Sequence, residues 1–422
     1  LWFNLILKPV PHLYYQQEKN AVPFGHRCCV TYFSEKSRST FFLTSRLHES
    51  SLLSSVMKKQ NLFCVAVLFT LLAGCQQTKL QKNDTDTDSA AAAVPTIGSP
   101  TLLYTLPDKY NTPDGLALAP DGSVYLSVPN LADNDYPGVI LKFAGDSLEF
   151  FTSLPVQPQT KHACPMDMAF GPDGNLYYAE NQYENDKDYK SRLMRITMQN
   201  GKPARIEPVV VNLALGNAVV WKGNTIYVTD SQWDMPDNDK GSAVFHFTLD
   251  ELNKGLIQLK PQTMDPHILA TFTTQVNETN IDNGADGLDY DSKGNFYTGS
   301  FGDGTLYKLT LKTDGSLASN EKMKLSQPIS CVDGLIVDRK TDKLYVCNSR
   351  TNAILMVTPT GNVSTLAQNG DTDGANGRLD QPAEVLMKGN RLYISNYDNP
   401  EKHFVNTKAD KVHTMSYIDL PR

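Results

Sequence analysis

From residue 100 to residue 420 the chain is written in short apolar runs rich in Val, Ile, Leu, Tyr and Phe, each closed by a polar turn cluster. GLALAP, SVYLSV, GVILKFAG and SLEFFTSL follow one another, and the same order returns after Asp167 with LYYAEN, RLMRITM and EPVVVNL. Runs of this length with almost no sustained 3.6-residue period predict strands, and the Asp-Gly, Gly-Asn and Lys-Gly-Asn clusters between them predict hairpin turns. One phrase recurs six times: an acidic or amide residue, an apolar strand, a tight turn, and a strand centred on Tyr. Its copies start at Asp114, Asp167, Asn217, Asp286, Asp333 and Glu384, with steps of 53, 50, 69, 47 and 51 residues. A strand-and-turn period near 50 predicts an all-β chain folded as a six-bladed β-propeller over residues 100–422.

The ends of the repeat array support closure of a ring. The sixth copy supplies only three strands, AEVLM, RLYISNY and VHTMSYIDL, and the missing fourth stands before the first copy as TLLYTL, Thr101 to Leu106. Pairing the first and last strands would leave no long edge exposed. The 69-residue step is an insertion, with its surplus at Trp233 to Lys240 and Asp250 to Pro266. Loops lengthened at one place on a rigid ring are expected over the binding face, or equally as surface decoration.

The segment before the array reads differently. MKKQNLFCVAVLFTLLAGC, from Met57, has a positive start at Lys58 and Lys59 and an apolar stretch from Leu62 to Ala73. That stretch is too short to span a bilayer, which needs about 20 residues, and fits a secretory signal peptide over residues 57–74. Leu72-Ala73-Gly74-Cys75 resembles a bacterial lipobox, which implies cleavage before Cys75 and lipidation of its thiol. Residues 1–56 lack periodicity and read as a non-native upstream extension. Residues 75–99 are polar and low in aromatics, as a flexible tether would be. Gln76 after the cysteine implies outer-membrane sorting, so a lipoprotein of the bacterial cell envelope facing the periplasm is expected.

Charge narrows the ligand. The whole chain carries −7. Residues 1–56 hold six Lys/Arg against three Asp/Glu and the leader adds two lysines, which leaves −12 on residues 75–422. An acidic body argues against nucleic acid and suits a neutral ligand or a cation. Of the cysteines, Cys164 reads as a buried thiol. Cys331 and Cys347 bracket one predicted hairpin, where both a bridge and two free thiols stay open.

In a propeller the first strand of each blade lines the central channel. Asp114, Asp167, Asn217, Asp286, Asp333 and Glu384 are therefore expected to converge on one axis. Five carboxylates and an amide at close quarters repel unless some are protonated or a cation sits among them. Oxygen ligands favour a hard divalent ion, Ca²⁺ first, with Mg²⁺, Mn²⁺ or Zn²⁺ as alternatives. Taken singly, each Asp-Gly could equally bond backbone N–H groups and fix a turn. Tyr183, Trp233, Phe301 and Tyr397 follow second strands, where they could stack on a sugar-like ring or pack between blades.

DGLAL, GNAVVWKGNTIYVTDS and ADGLDYDSKGNFYTG resemble the senescence marker protein, gluconolactonase and luciferin-regenerating enzyme family. The resemblance implies a six-bladed propeller with one divalent metal on its axis and hydrolysis of a sugar lactone or related cyclic ester. It implies metal ligation by Asp114, Asp167, Asn217 and Asp286; in a hydrolase with that site, Asp286 is expected also to be the catalytic base, and Asp333 and Glu384 to orient a small neutral cyclic substrate or water. Asp114 stands where the family has Glu, and Asp167 where it has Asn. LAQNGDTDGANGRLDQPAEV also resembles NHL repeats, which implies the alternative of a non-catalytic ligand- or protein-binding propeller. The oligomeric state stays open.

Overall fold

The computed structural model describes residues 98–132, 136–145 and 147–421. The readings of residues 1–56, the 57–74 leader, lipidation of Cys75 and nearly all of the 75–99 tether lie outside them. No helix among the described residues is long and apolar enough to cross a membrane.

Six small sheets form the six blades of a propeller. Their innermost strands are Leu116–Leu118, Pro165–Phe170, Gly216–Lys222, Ala285–Tyr290, Leu335–Asp338 and Pro382–Lys388. These pack one against the next around a closed ring, the sixth against the first. The ring closes as the sequence predicts: Thr101–Thr105 pairs antiparallel with Thr414–Asp419 and completes the sixth blade. Closure makes the first and last parts of the propeller one hydrogen-bonded sheet, so unravelling either end exposes a blade edge.

The recurring Tyr explains how the blades hold together. Each of the six hydrophobic clusters draws its side chains from two neighbouring blades rather than from one. Tyr125 of the first blade meets Phe170 of the second edge-on at 5.1 Å, and Tyr177 of the second meets Trp221 of the third at 5.0 Å. Tyr227 of the third blade lies 4.3 Å from Phe296 of the fourth. Strand faces alternate, so one flat aromatic per second strand covers the adjacent blade.

The innermost strands share one irregularity. In four blades their ladder register jumps, between Pro165 and Met168, Gly216 and Val219, Ala285 and Leu288, and Pro382 and Val385. The other two show the same geometry in hydrogen bonds. Asp114 N–H donates to Ser127 O while Ser127 N–H donates to Gly115 O, and Asp333, Gly334 and Cys347 repeat the pattern. Two residues therefore oppose one, a β-bulge. Small residues stand opposite, and three of them satisfy the extra N–H: Ser127 accepts from Gly115 at 2.8 Å, Thr229 from Ala218 at 2.7 Å, Ser395 from Glu384 at 3.1 Å.

The Asp250 to Pro266 part of the insertion lies at the rim rather than over the channel. Its surplus forms a short helix, Leu249–Lys254, capped by Thr248 and Glu251, and a strand, Ile257–Gln258, that pairs parallel with the outer strand Lys202–Leu213 of the second blade. Leu252 and Leu259 are buried there. The Asp250 to Pro266 part thus covers a sheet edge at the rim, and Trp233 is wholly buried in the core between the second and third blades. Cys164, Cys331 and Cys347 are free and buried.

Glycine at the second bulge position is a steric requirement in the fifth blade. A Cβ on Gly334 would lie 2.4 Å from Ala383 O and 2.5 Å from Glu384 Oε1. Gly334→Ala is expected to destabilise the protein by about 1–3 kcal/mol, whereas Gly370→Ala, with nothing within 4 Å, should stay within about 0.5 kcal/mol of wild type. Urea denaturation of both checks this.

Candidate functional site

The bulge pairs, in blade order, are Asp114-Gly115, Met166-Asp167, Asn217-Ala218, Asp286-Gly287, Asp333-Gly334 and Ala383-Glu384. Each blade offers one polar side chain from its pair, but not from the same position. Asp114, Asn217, Asp286 and Asp333 occupy the first position and share one cavity of about 240 Å³ with Met166 and Ala383. Asp167 and Glu384 occupy the second position, and both line a cavity of about 230 Å³ formed by the opposite halves of the inner strands. The expected single ring of six is therefore two tiers, four and two. The sequence motif misaligns the second and sixth blades by one residue because a bulge turns two successive residues toward the axis.

Hydrogen bonds tie the upper tier together. Asn217 Nδ2 donates to Asp286 Oδ2 at 2.8 Å. Asp333 accepts from Ser349 Oγ at 2.6 Å and from Gly334 N–H at 3.1 Å. Asp114 Oδ2 is buried and has no partner. No Lys or Arg is among the described residues lining this cavity. The second cavity differs: Arg339 lines it, pairs with Asp289 and lies 3.9 Å over the Tyr290 ring.

Such crowding shifts proton affinities upward. Burial, then Asp333 and Asp167, holds Asp114 well above the usual carboxylate range. Burial, then Asp333, Asp114 and Asp167, does the same to Asp286. Burial pushes Asp333 up to about 7 against the pull of Ser349 and Gly334. After burial, Asp333 is the neighbour that acts most strongly on Asp286. In the lower tier burial raises Asp167 to about 7 despite bonds from backbone N–H groups, and raises Glu384 strongly, with Asp167 the next cause.

Three carboxylates and an amide, one oxygen orphaned and no basic side chain present, suit a hard divalent cation. Asp114, Asn217, Asp286 and Asp333 line the one cavity where such an ion would sit. Asp167 does not share their cavity.

The cavity rim was not foreseen. Asn181, Asn185, Asn283, Gln381 and Asn399 line it, all carried by loops between strands, together with Phe301 and Tyr397. Amides both donate and accept, as hydroxyl groups do. Of the aromatics that could stack or pack, Phe301 and Tyr397 line this cavity, while Trp233 lies in the core.

The likeness to known proteins lies in the fold. No family model and no curated protein matches the sequence. A luciferin-regenerating enzyme aligns with a TM-score of 0.51 at 12% identity over 77% of this chain and 95% of its own. A protein classed as a gluconolactonase aligns at 0.50 and 13% identity over 78% and 96%. A calcium-binding protein, regucalcin from Agrobacterium tumefaciens, aligns at 0.50 and 11% identity over 77% and 95%. These structural neighbours are those that the sequence motifs resemble.

Because the folded carboxyls hold protons that the unfolded chain releases near pH 4, the cation-free folded state binds more protons between about pH 4 and 7. Stability in EDTA should therefore fall as pH rises through that window. Asp333→Asn removes one such group and should flatten the decline by about 1–3 kcal/mol. Urea midpoints at three pH values check this; parallel profiles for the two proteins would contradict it.

Proposed function

We propose that the protein is a divalent-cation-dependent hydrolase of a sugar lactone or related cyclic ester, acting in the 240 Å³ axial cavity. The observation that carries this reading is the convergence of Asp114, Asn217, Asp286 and Asp333 on one cavity with Asp114 Oδ2 unpartnered and no basic side chain beside it. Bound there, the cation would supply Lewis-acid polarisation of an ester carbonyl.

The chain's own groups account for the remainder. Phe301 and Tyr397 offer apolar faces to a ring, and the amide rim matches the hydroxyl groups of a neutral polyol. Asp286 and Asp333 line the cavity in which the cation would lie and are the carboxylates that would receive a proton there. The pair takes a proton from the attacking water as its oxygen bonds to the carbonyl carbon. The ring C–O bond then breaks, and the same proton passes to the departing ring oxygen, giving a hydroxy acid. Asp167 and Glu384, in the lower tier, support the channel from below rather than touching substrate. Lipidation at Cys75 and an outer-membrane, periplasm-facing location belong to the same proposal and rest on the lipobox resemblance.

Elemental analysis and a sugar-lactone panel, followed by pH-stat titration, test it together. Wild type should retain a divalent cation and turn over a lactone. Asp286→Asn should lose the axial cation and about 10²–10⁴ in kcat/KM. A cation-free wild type with no lactone turnover would contradict the proposal and favour a binding propeller.

A further inference from the structure

A second group of acids lies away from the axis, in loops of the sixth blade. Asp380, Asp398 and Asp410 each bring a carboxylate oxygen within 4.8 Å of the others. Asp380 precedes the inner strand of that blade, Asp398 follows the second strand, and Asp410 precedes the third. Asp380 and Asp398 are 0% and 1% exposed.

The hydrogen bonds around these acids leave a vacancy of partners. Asp380 Oδ1 accepts from Asn406 Nδ2, and Asp398 Oδ2 accepts from Asp410 N–H at 3.0 Å. Asp380 Oδ2 and Asp398 Oδ1 have no partner. His413, 3% exposed and not itself one of the acids, also has an unpartnered nitrogen: Nδ1 faces Asp398 Oδ2 at 3.9 Å. Of the nearby cationic side chains, Lys408 acts on Asp398 through space without pairing with it, and two others are committed elsewhere. Lys411 pairs with Asp108 at 3.3 Å and Arg378 with Asp373 at 2.5 Å. Among the described residues no Lys or Arg pairs with any of the three acids.

Buried acids with orphaned oxygens are costly unless a cation completes them. We infer that Asp380, Asp398 and Asp410, bordered by His413, form a second divalent-cation site that pins the loops of the sixth blade. A carboxylate-rich set favours a hard ion, and the imidazole nitrogen widens the choice to Mn²⁺. The site has a consequence for the axial cavity, whatever that cavity binds. Gln381, Tyr397 and Asn399, neighbours in sequence of Asp380 and Asp398, line it. A cation here would fix the cavity wall without touching its ligand.

The test uses Ca²⁺ and Mn²⁺ separately, added to EDTA-treated protein. In Asp286→Asn, where the axial cluster is broken, either ion should still raise the unfolding midpoint, by about 5 °C at a hundredfold excess over Kd. Equilibrium dialysis on the same folded variant should find a bound ion, so the result does not depend on how well a cluster variant folds. Adding Asp380→Asn and Asp398→Asn should abolish both effects. The cation-free midpoint should then be unchanged or higher, because repulsion has been removed. No rise and no bound ion in Asp286→Asn, or a rise that survives the added substitutions, would overturn the inference.

Discussion

The bulge on every innermost strand is the constraint on which the rest depends. Where two residues oppose one, successive side chains turn toward the axis, and the channel has room for only one large polar group per blade. Three blades satisfy this with Asp-Gly, one with Asn-Ala, and two reverse the order with Met-Asp and Ala-Glu. The glycines are needed because neighbouring inner strands approach so closely. A Cβ on Gly115 would sit 2.3 Å from Asp167 Cα, and one on Gly334 would meet Glu384. Acid in one blade and glycine in the next are thus halves of a single packing solution.

That solution concentrates charge where water is scarce. The inter-blade aromatics and the closing strand Thr101–Thr105 provide the rigidity that holds five carboxyls on the axis despite their repulsion. The two mouths then differ in chemistry. Arg339 and Asp289 pair at one, while the other presents acids and amides without a basic side chain. The proposed cation would lie at the second, and the proposed neutral ligand against the amides and aromatics around it.

Much of this was legible in the sequence because the repeat is nearly periodic. Blade number, strand order and the permuted closure follow from six copies of one phrase and an unpaired strand at each end. The placement of Asp114, Asn217, Asp286 and Asp333 follows too, since all open the phrase at the first bulge position. Asp167 and Glu384 were harder: an acid at either position of a bulge reads the same until the ladder register is known. Most of the amide rim had no signal, because Asn185, Asn283 and Asn399 lie in loops of unequal length that the repeat does not govern. The 69-residue step marked an insertion correctly, but only the parallel pairing of Ile257 and Gln258 with the second blade shows where most of it goes. Asp380, Asp398 and Asp410 are separated by sequence and joined by loops, so only the fold brings them together.

The central claim is that the upper tier of the channel is built to hold a cation. Anomalous diffraction from crystals of the protein grown with Mn²⁺ tests it most directly. The account predicts a peak on the axis within ligand distance of Asp114, Asn217, Asp286 and Asp333. A fully ordered upper tier with no peak there, or a peak held instead by Asp167 and Glu384, would contradict it.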